Sequence, residues 1–137
     1  MREIEFRGKD INTCEWIYGS LVVRDYTGYT SYIIVSDDAF DGVNPYRNFE
    51  VKSKTIGQFT GFYDRNNSKI FEGDIVKLHL AYSLFIGVVY YEDCCFIVRG
   101  HYDNEKEENI FYLSKTIEKE IIGNIYDNPE LLEKNYE

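Results

Sequence analysis

Three runs of branched and aromatic residues lie almost end to end at positions 75–80, 84–91 and 94–99. Only Ala81-Tyr82-Ser83 and Glu92-Asp93 link them. Runs this short, joined by links of two or three residues, suit consecutive β-hairpins and leave no length for helices. The segment is read as an antiparallel meander. Its middle run is apolar on both faces and is expected to be the central strand.

The rest of the chain repeats the same rhythm. Ile4 and Phe6 alternate with Glu3, Glu5 and Arg7, as in a half-buried strand. Trp16-Ile17-Tyr18 leads through Gly19 into Leu21-Val22-Val23, and Tyr32-Ile33-Ile34-Val35 follows a turn expected over residues 24–30. Residues 36–50, with Asp37, Asp38, Asp41, Gly42, Asn44 and Pro45, are expected to form a long loop. A strand over 55–63 contains Gly57 and Gly61. The turn Asp64-Arg65-Asn66-Asn67-Ser68 then returns the chain to Lys69-Ile70-Phe71, and Glu72-Gly73-Asp74 turns again. After a charged loop at 103–109, residues 110–113 and 121–126 read as strands. A short helical turn is expected at 114–118. Asn128 is expected to cap a short C-terminal helix with Pro129 in its first turn.

Composition supports this reading. The chain holds 15 Ile, 9 Val, 13 Tyr and 9 Phe against 2 Ala and 7 Leu. Branched and aromatic side chains favour the pleated surface, and the best helix formers are scarce. At 137 residues the chain is read as a single domain over 1–137. The expected fold is all-β: a bent antiparallel sheet forming an open or pseudo-barrel, with a short C-terminal helix.

Charge and cysteine content bear on function. The net charge is −9, and residues 103–137 carry −6 of it, from 10 acids and 4 bases. Such a chain repels phosphate backbones, so direct nucleic-acid binding is not expected. Cys14, Cys94 and Cys95 form an odd set without C-x-x-C spacing, which reads as reduced thiols. If Cys94 and Cys95 are neighbours on a strand, their side chains point to opposite faces. No apolar leader begins the sequence, and the run 84–91 is too short to span a bilayer. A cytoplasmic location away from any membrane is expected.

Motifs for phosphate cradles, dinucleotide loops, serine elbows and zinc helices are all missing from the sequence. His79 and His101 stand too far apart, without further ligands, to predict a metal site. His79 is expected on a solvent-facing sheet surface. His101 with Asp103 and Glu105 is weighed as an acid–base group and Asp37 with Asp38 as a hard-cation site; loop charge accounts for both. Cys94 and Cys95 have no nucleophile signature around them. No catalytic residue, cofactor or metal is therefore expected. The tyrosines point elsewhere: Trp16, Tyr18, Tyr26, Tyr29, Tyr32, Tyr46, Tyr90 and Tyr91 cannot all be core, and exposed aromatics suit protein interfaces.

Four blocks, in order, resemble the YopX family of small bacteriophage and prophage proteins. They are Arg2-Glu3-Ile4-Glu5-Phe6-Arg7-Gly8-Lys9; Trp16-Ile17-Tyr18-Gly19; the stretch from Thr55-Ile56-Gly57-Gln58-Phe59-Thr60-Gly61-Phe62 through Asp64 and Asn66 to Ile70-Phe71-Glu72-Gly73-Asp74-Ile75-Val76; and Ile122-Gly123-Asn124-Ile125-Tyr126-Asp127-Asn128-Pro129-Glu130-Leu131-Leu132. Two positions depart from the family's habit: Cys14 and Asn67 stand where glycine is common. Asn tolerates a left-handed turn, so the hairpin at 64–68 is expected to survive. The resemblance implies a mostly β fold without an assigned activity. With the missing motifs and the aromatic excess, it gives the expectation of a non-enzymatic phage or prophage accessory protein. Such a protein would bind a protein partner, itself or a host factor, in the cytoplasm of a bacterial host. Two alternatives are weighed: an acidic decoy for a basic nucleic-acid-binding host protein, and an enzyme on a small barrel. The candidate binding surface is Trp16, Tyr18, Gln58, Thr60, Asp64 and Tyr90. Gln58, Thr60 and Asp64 are equally read as ties within the hairpin.

Overall fold

A computed structural model of the chain describes residues 1–36 and 47–133. The strands form two antiparallel sheets, neither closed into a barrel, and one short helix follows them. The all-β expectation is met. The chain divides into two compact units, 1–59 and 60–137.

In the first unit, β1 (Phe6–Lys9) lies between β2 (Trp16–Tyr26) and the start of β5 (Gly57–Tyr63). β2 pairs with β3 (Tyr29–Ser36), and β3 with β4 (Arg47–Glu50). The turn expected over 24–30 is only Thr27-Gly28: cross-strand pairing runs on to Tyr26 and Tyr29, whose rings stack at 4.9 Å. The loop expected over 36–50 ends earlier than read, because Arg47–Glu50 joins the sheet; Asp37, Asp38 and Tyr46 lie outside the described residues. The strand expected from Thr55 starts at Gly57, after a 3-10 turn at Ser53–Thr55. Thr55 Oγ1 closes that turn by donating to the Lys52 carbonyl while accepting from the Lys9 amide.

The first turn explains the departure at Cys14. Asp10 Oδ1 accepts from the amides of Asn12 and Thr13, and the Cys14 amide donates to the Asp10 carbonyl. The loop closes with Cys14 at φ 62°, in the left-handed region that glycine enters freely.

The second unit is built on five strands in the order β10-β9-β8-β7-β11. They are β7 (Asp74–His79), β8 (Leu84–Glu92), β9 (Cys95–Tyr102), β10 (Asn109–Tyr112) and β11 (Glu118–Asn124). The predicted meander is β7-β8-β9, with β8 central. Val76, Leu78, Phe85, Val89 and Val98 share one face and form the core with Ile70 of β6 (Lys69–Phe71). Phe85 meets Tyr102 and Phe111 edge-on. The later half of β5 and β6 make the predicted hairpin, with Asn67 at φ 64° in its turn.

Three local readings are corrected. Cys94 is not on a strand: with Asp93 it forms the β8–β9 turn, both at positive φ, because one more ladder pair, Glu92 with Cys95, forms than the apolar run suggests. No helical turn forms over 114–118: residues 115–116 make a turn and β11 already begins at Glu118. Asn128 turns its side chain back, where Oδ1 accepts from the Asn124 amide, so it does not cap α1 (Glu130–Glu133).

Candidate functional site

Of the six candidate surface residues, Trp16, Tyr18 and Gln58 belong to the first unit and Thr60, Asp64 and Tyr90 to the second. In the first unit, Trp16 pairs in register with Lys9 and Tyr18 with Arg7. The Arg7 guanidinium carbon lies 4.5 Å and the Lys9 ammonium 5.3 Å from the Trp16 ring centre. Arg7 is itself buried, so Trp16 covers a cation instead of standing free. Gln58 pairs with Phe6, one residue out of phase, and so belongs to the opposite face of the sheet.

Thr60 and Asp64 are buried in the second unit and tie the hairpin. Thr60 Oγ1 donates to the Ile70 carbonyl at 2.8 Å and accepts from the Phe62 amide. Asp64 Oδ1 accepts from the amides of Asn66 and Ser68, each at 2.9 Å, and Oδ2 accepts from the Ile121 amide at 3.0 Å. The next residue continues this clamp: the Arg65 amide donates to the Lys119 carbonyl. Together these bonds close the outer edge of β11.

The side chains behind the clamp were not legible as a group. His79 Nε2 lies 3.1 Å from Arg65 Nη1 and 3.2 Å from Glu120 Oε1, with Glu118 3.7 Å from Arg65. His79 lies on the face of β7 opposite Val76 and Leu78, half-buried within this cluster. His101 Nδ1 faces the Glu107 carbonyl, which binds the ring to its own loop.

Tyr90 belongs to the outer face of the β8–β9–β10 sheet, beside an ion-pair cluster. Arg99 donates to both carboxylate oxygens of Glu92, at 2.6 and 2.5 Å, and its Nε lies 3.4 Å from Glu108. Its guanidinium carbon lies 5.5 Å from the Tyr90 ring centre. The hydrogen bonds from Arg99 hold the Glu92 carboxyl below the usual carboxylate range, and Glu92 in turn raises the guanidinium. A cavity of about 180 Å³ sits here, lined by Ile86, Val88, Tyr90, His101, Glu108 and Leu132 among others. The period-two pattern could have found this cluster, since Tyr90, Glu92 and Arg99 share a face once the turn is placed correctly.

The two edges of the five-stranded sheet differ. β11 is closed by Asp64 and Arg65. Among the described residues, β10 has no strand on its outer side. Ile110 and Tyr112, facing away from the core, are 49% and 67% exposed. They border a small trough with Ile97, Cys95 and Glu92. No group of His, Cys, Asp and Glu among the described residues could hold a metal ion, and no described helix is long and apolar enough to cross a membrane.

The profile of the family described as YopX protein matches residues 5–133. No curated protein matches the chain. Among solved structures, the crystal structure of protein EF1440 from Enterococcus faecalis is similar, with a TM-score of 0.50 and 22% identity. The match covers 96% of this chain and 99% of that one, and at this identity it speaks to the fold alone.

Proposed function

The chain belongs to the YopX family, and from that premise we propose that it is a non-enzymatic phage or prophage accessory protein that works by binding another protein. The observation that carries the reading is the open β10 edge. Its backbone offers a ladder on one side, and Ile110 and Tyr112 stand exposed beside it. An edge with apolar outward residues is a template for an added strand. The added strand's side chains would meet Ile110, Tyr112 and the trough at Ile97. Native sheets usually blunt such an edge with charge, whereas Lys and Arg are missing from the sequence of β10.

The test is a tagged pull-down from a bacterial host, washed at low and then high salt, with the Ile110→Lys and Tyr112→Lys variants alongside. A partner retained at high salt by the parent chain and lost with both variants is the expected result. Recovery of bait alone, with light scattering showing a monomer, refutes the reading. A second reading rests on the loop 103–108, where exposed acids include Glu105 and Glu107. A basic partner captured there would leave on salt and be indifferent to the β10 variants.

A further inference from the structure

The phase of the β10 ladder fixes what its free side offers. The Leu113 amide donates to the Phe96 carbonyl, continuing the β9–β10 register by one pair. Bonded pairs alternate along an antiparallel ladder, so Phe111 and Asn109 also turn their N–H and C=O groups to β9. Those of Ile110 and Tyr112 turn outward, where no strand lies among the described residues. Both ends of the strand are held. The Glu107 carbonyl accepts from His101 Nδ1 at 2.9 Å, and the Ser114 carbonyl accepts from Lys119 at 2.6 Å. At these ends Glu107 and Lys115 stand exposed.

Apolar groups and charges are placed symmetrically along this edge. Ile110 and Tyr112 flank Phe111, and Glu107 and Lys115 lie four residues to either side of it. An antiparallel copy of the same edge pairs only in registers that join outward groups to outward groups. Centred on Ile110, the ladder needs Glu108 opposite Tyr112, and Glu108 already faces Arg99. Centred on Tyr112, it needs the backbone of Ser114, whose carbonyl Lys119 already takes. Centred on Phe111, it needs only Ile110 and Tyr112. Each Ile110 then exchanges two hydrogen bonds with the partner's Tyr112, and the two-fold axis repeats the pair.

We infer that the partner of the β10 edge is a second copy of this chain, paired antiparallel about Phe111. The inference rests on the reading of β10 as a protein-binding edge and names its occupant. On the outward face, each Ile110 meets the partner's Tyr112 across the strand pair. On the core face, the two Phe111 side chains stand opposite each other. The same register carries Glu107 of each copy to the Lys115 end of the other, so the edges attract although each chain carries −9. The contact is isologous and closes as a dimer, with nothing left at this edge for a third copy. So short a ladder and so small an apolar contact make a weak interface, with a dissociation constant on the order of 100 µM.

The test is amide hydrogen exchange by NMR on the parent chain at about 20 µM and about 1 mM, beside sedimentation equilibrium. The Ile110 and Tyr112 amides should exchange about fourfold more slowly at the higher concentration, the ratio of free monomer for that dissociation constant. The Phe111 amide, bonded to β9, should not change. Glu107→Lys and Lys115→Glu should each weaken the dimer about tenfold, because each turns two attractive pairs into repulsive ones. Mixing the two variants should restore it, since every pair is then Lys with Glu. Three results would overturn the inference: a monomer at about 1 mM, a dimer in which Ile110 and Tyr112 exchange as in the monomer, or a mixture no tighter than either variant. A monomer that still captures a host protein through Ile110 and Tyr112 would overturn it and leave the proposed function standing.

Discussion

Replacing Asp64 with alanine removes the one carboxylate that three backbone amides of two separate segments share. Two of those amides, from Asn66 and Ser68, belong to the β5–β6 turn, and the third, from Ile121, lies on β11. Hydrogen bonds to a charged acceptor contribute about 1.5–3 kcal/mol each. Asn66 and Ser68 are exposed, so water would recover most of what their amides lose. The Ile121 amide lies on a half-buried strand and recovers less. The expected loss is about 3 kcal/mol, which for a chain of this size lowers Tm by about 10 °C. Asp64→Asn should fall between the parent and Asp64→Ala. One amide oxygen still accepts from the turn, but its NH2 group would face the Ile121 N–H. Thermal unfolding followed by circular dichroism measures both variants. The reasoning fails if Asp64→Ala unfolds within 2 °C of the parent and loses a binding partner instead. Asp64 would then be a contact residue, and the three bonds would be incidental to it.

Two shorter predictions rest on other parts of the molecule. At Cys14, φ 62° is strained for any residue with a Cβ, so Cys14→Gly should be about 1 kcal/mol more stable than Cys14→Ala in urea unfolding; equal stabilities would show that the turn relaxes. Glu92 has its folded pKa depressed by Arg99, so its contribution is complete above the ordinary carboxylate range and lost as pH falls through the folded value. The stability difference between the parent and Glu92→Gln should therefore be constant from about pH 8 to pH 6 and close below about pH 4; a difference that persists at low pH would assign it to packing.

What the sequence disclosed follows the range of the interactions involved. The meander and the 64–68 hairpin were legible because both depend on neighbours within a few residues. Period-two alternation sets the strands, and Asn67 supplies the left-handed position. The boundaries that shifted, at Tyr26, Arg47 and Cys94, shifted because cross-strand pairing extends strands past their apolar cores. Asp25 and Glu92 read as turn residues, yet in a paired strand a polar side chain simply faces solvent or an ion partner.

The polar residues of the candidate surface show where local reading stops. Gln58, Thr60 and Asp64 drew attention as polar residues in the most recognisable segment, and the structure uses Thr60 and Asp64 to satisfy buried backbone groups. A polar residue surrounded by apolar ones carries the same mark whether it meets a ligand or an amide, and only the distant partner, here Ile121, separates the cases. Lys119 makes the converse point. In the sequence it is one of 4 bases among 10 acids over residues 103–137, and nothing local says that residues 114 and 117 fold their carbonyls onto it. Its burial follows from register: Lys119 pairs with Leu78, which places it on the core face between outward-facing Glu118 and Glu120. A Leu or Met would fill the same place but leave the Ser114 and Ile117 carbonyls without this donor, and those two bonds, with the Phe62 ring, are what offset the cost of burying the ammonium.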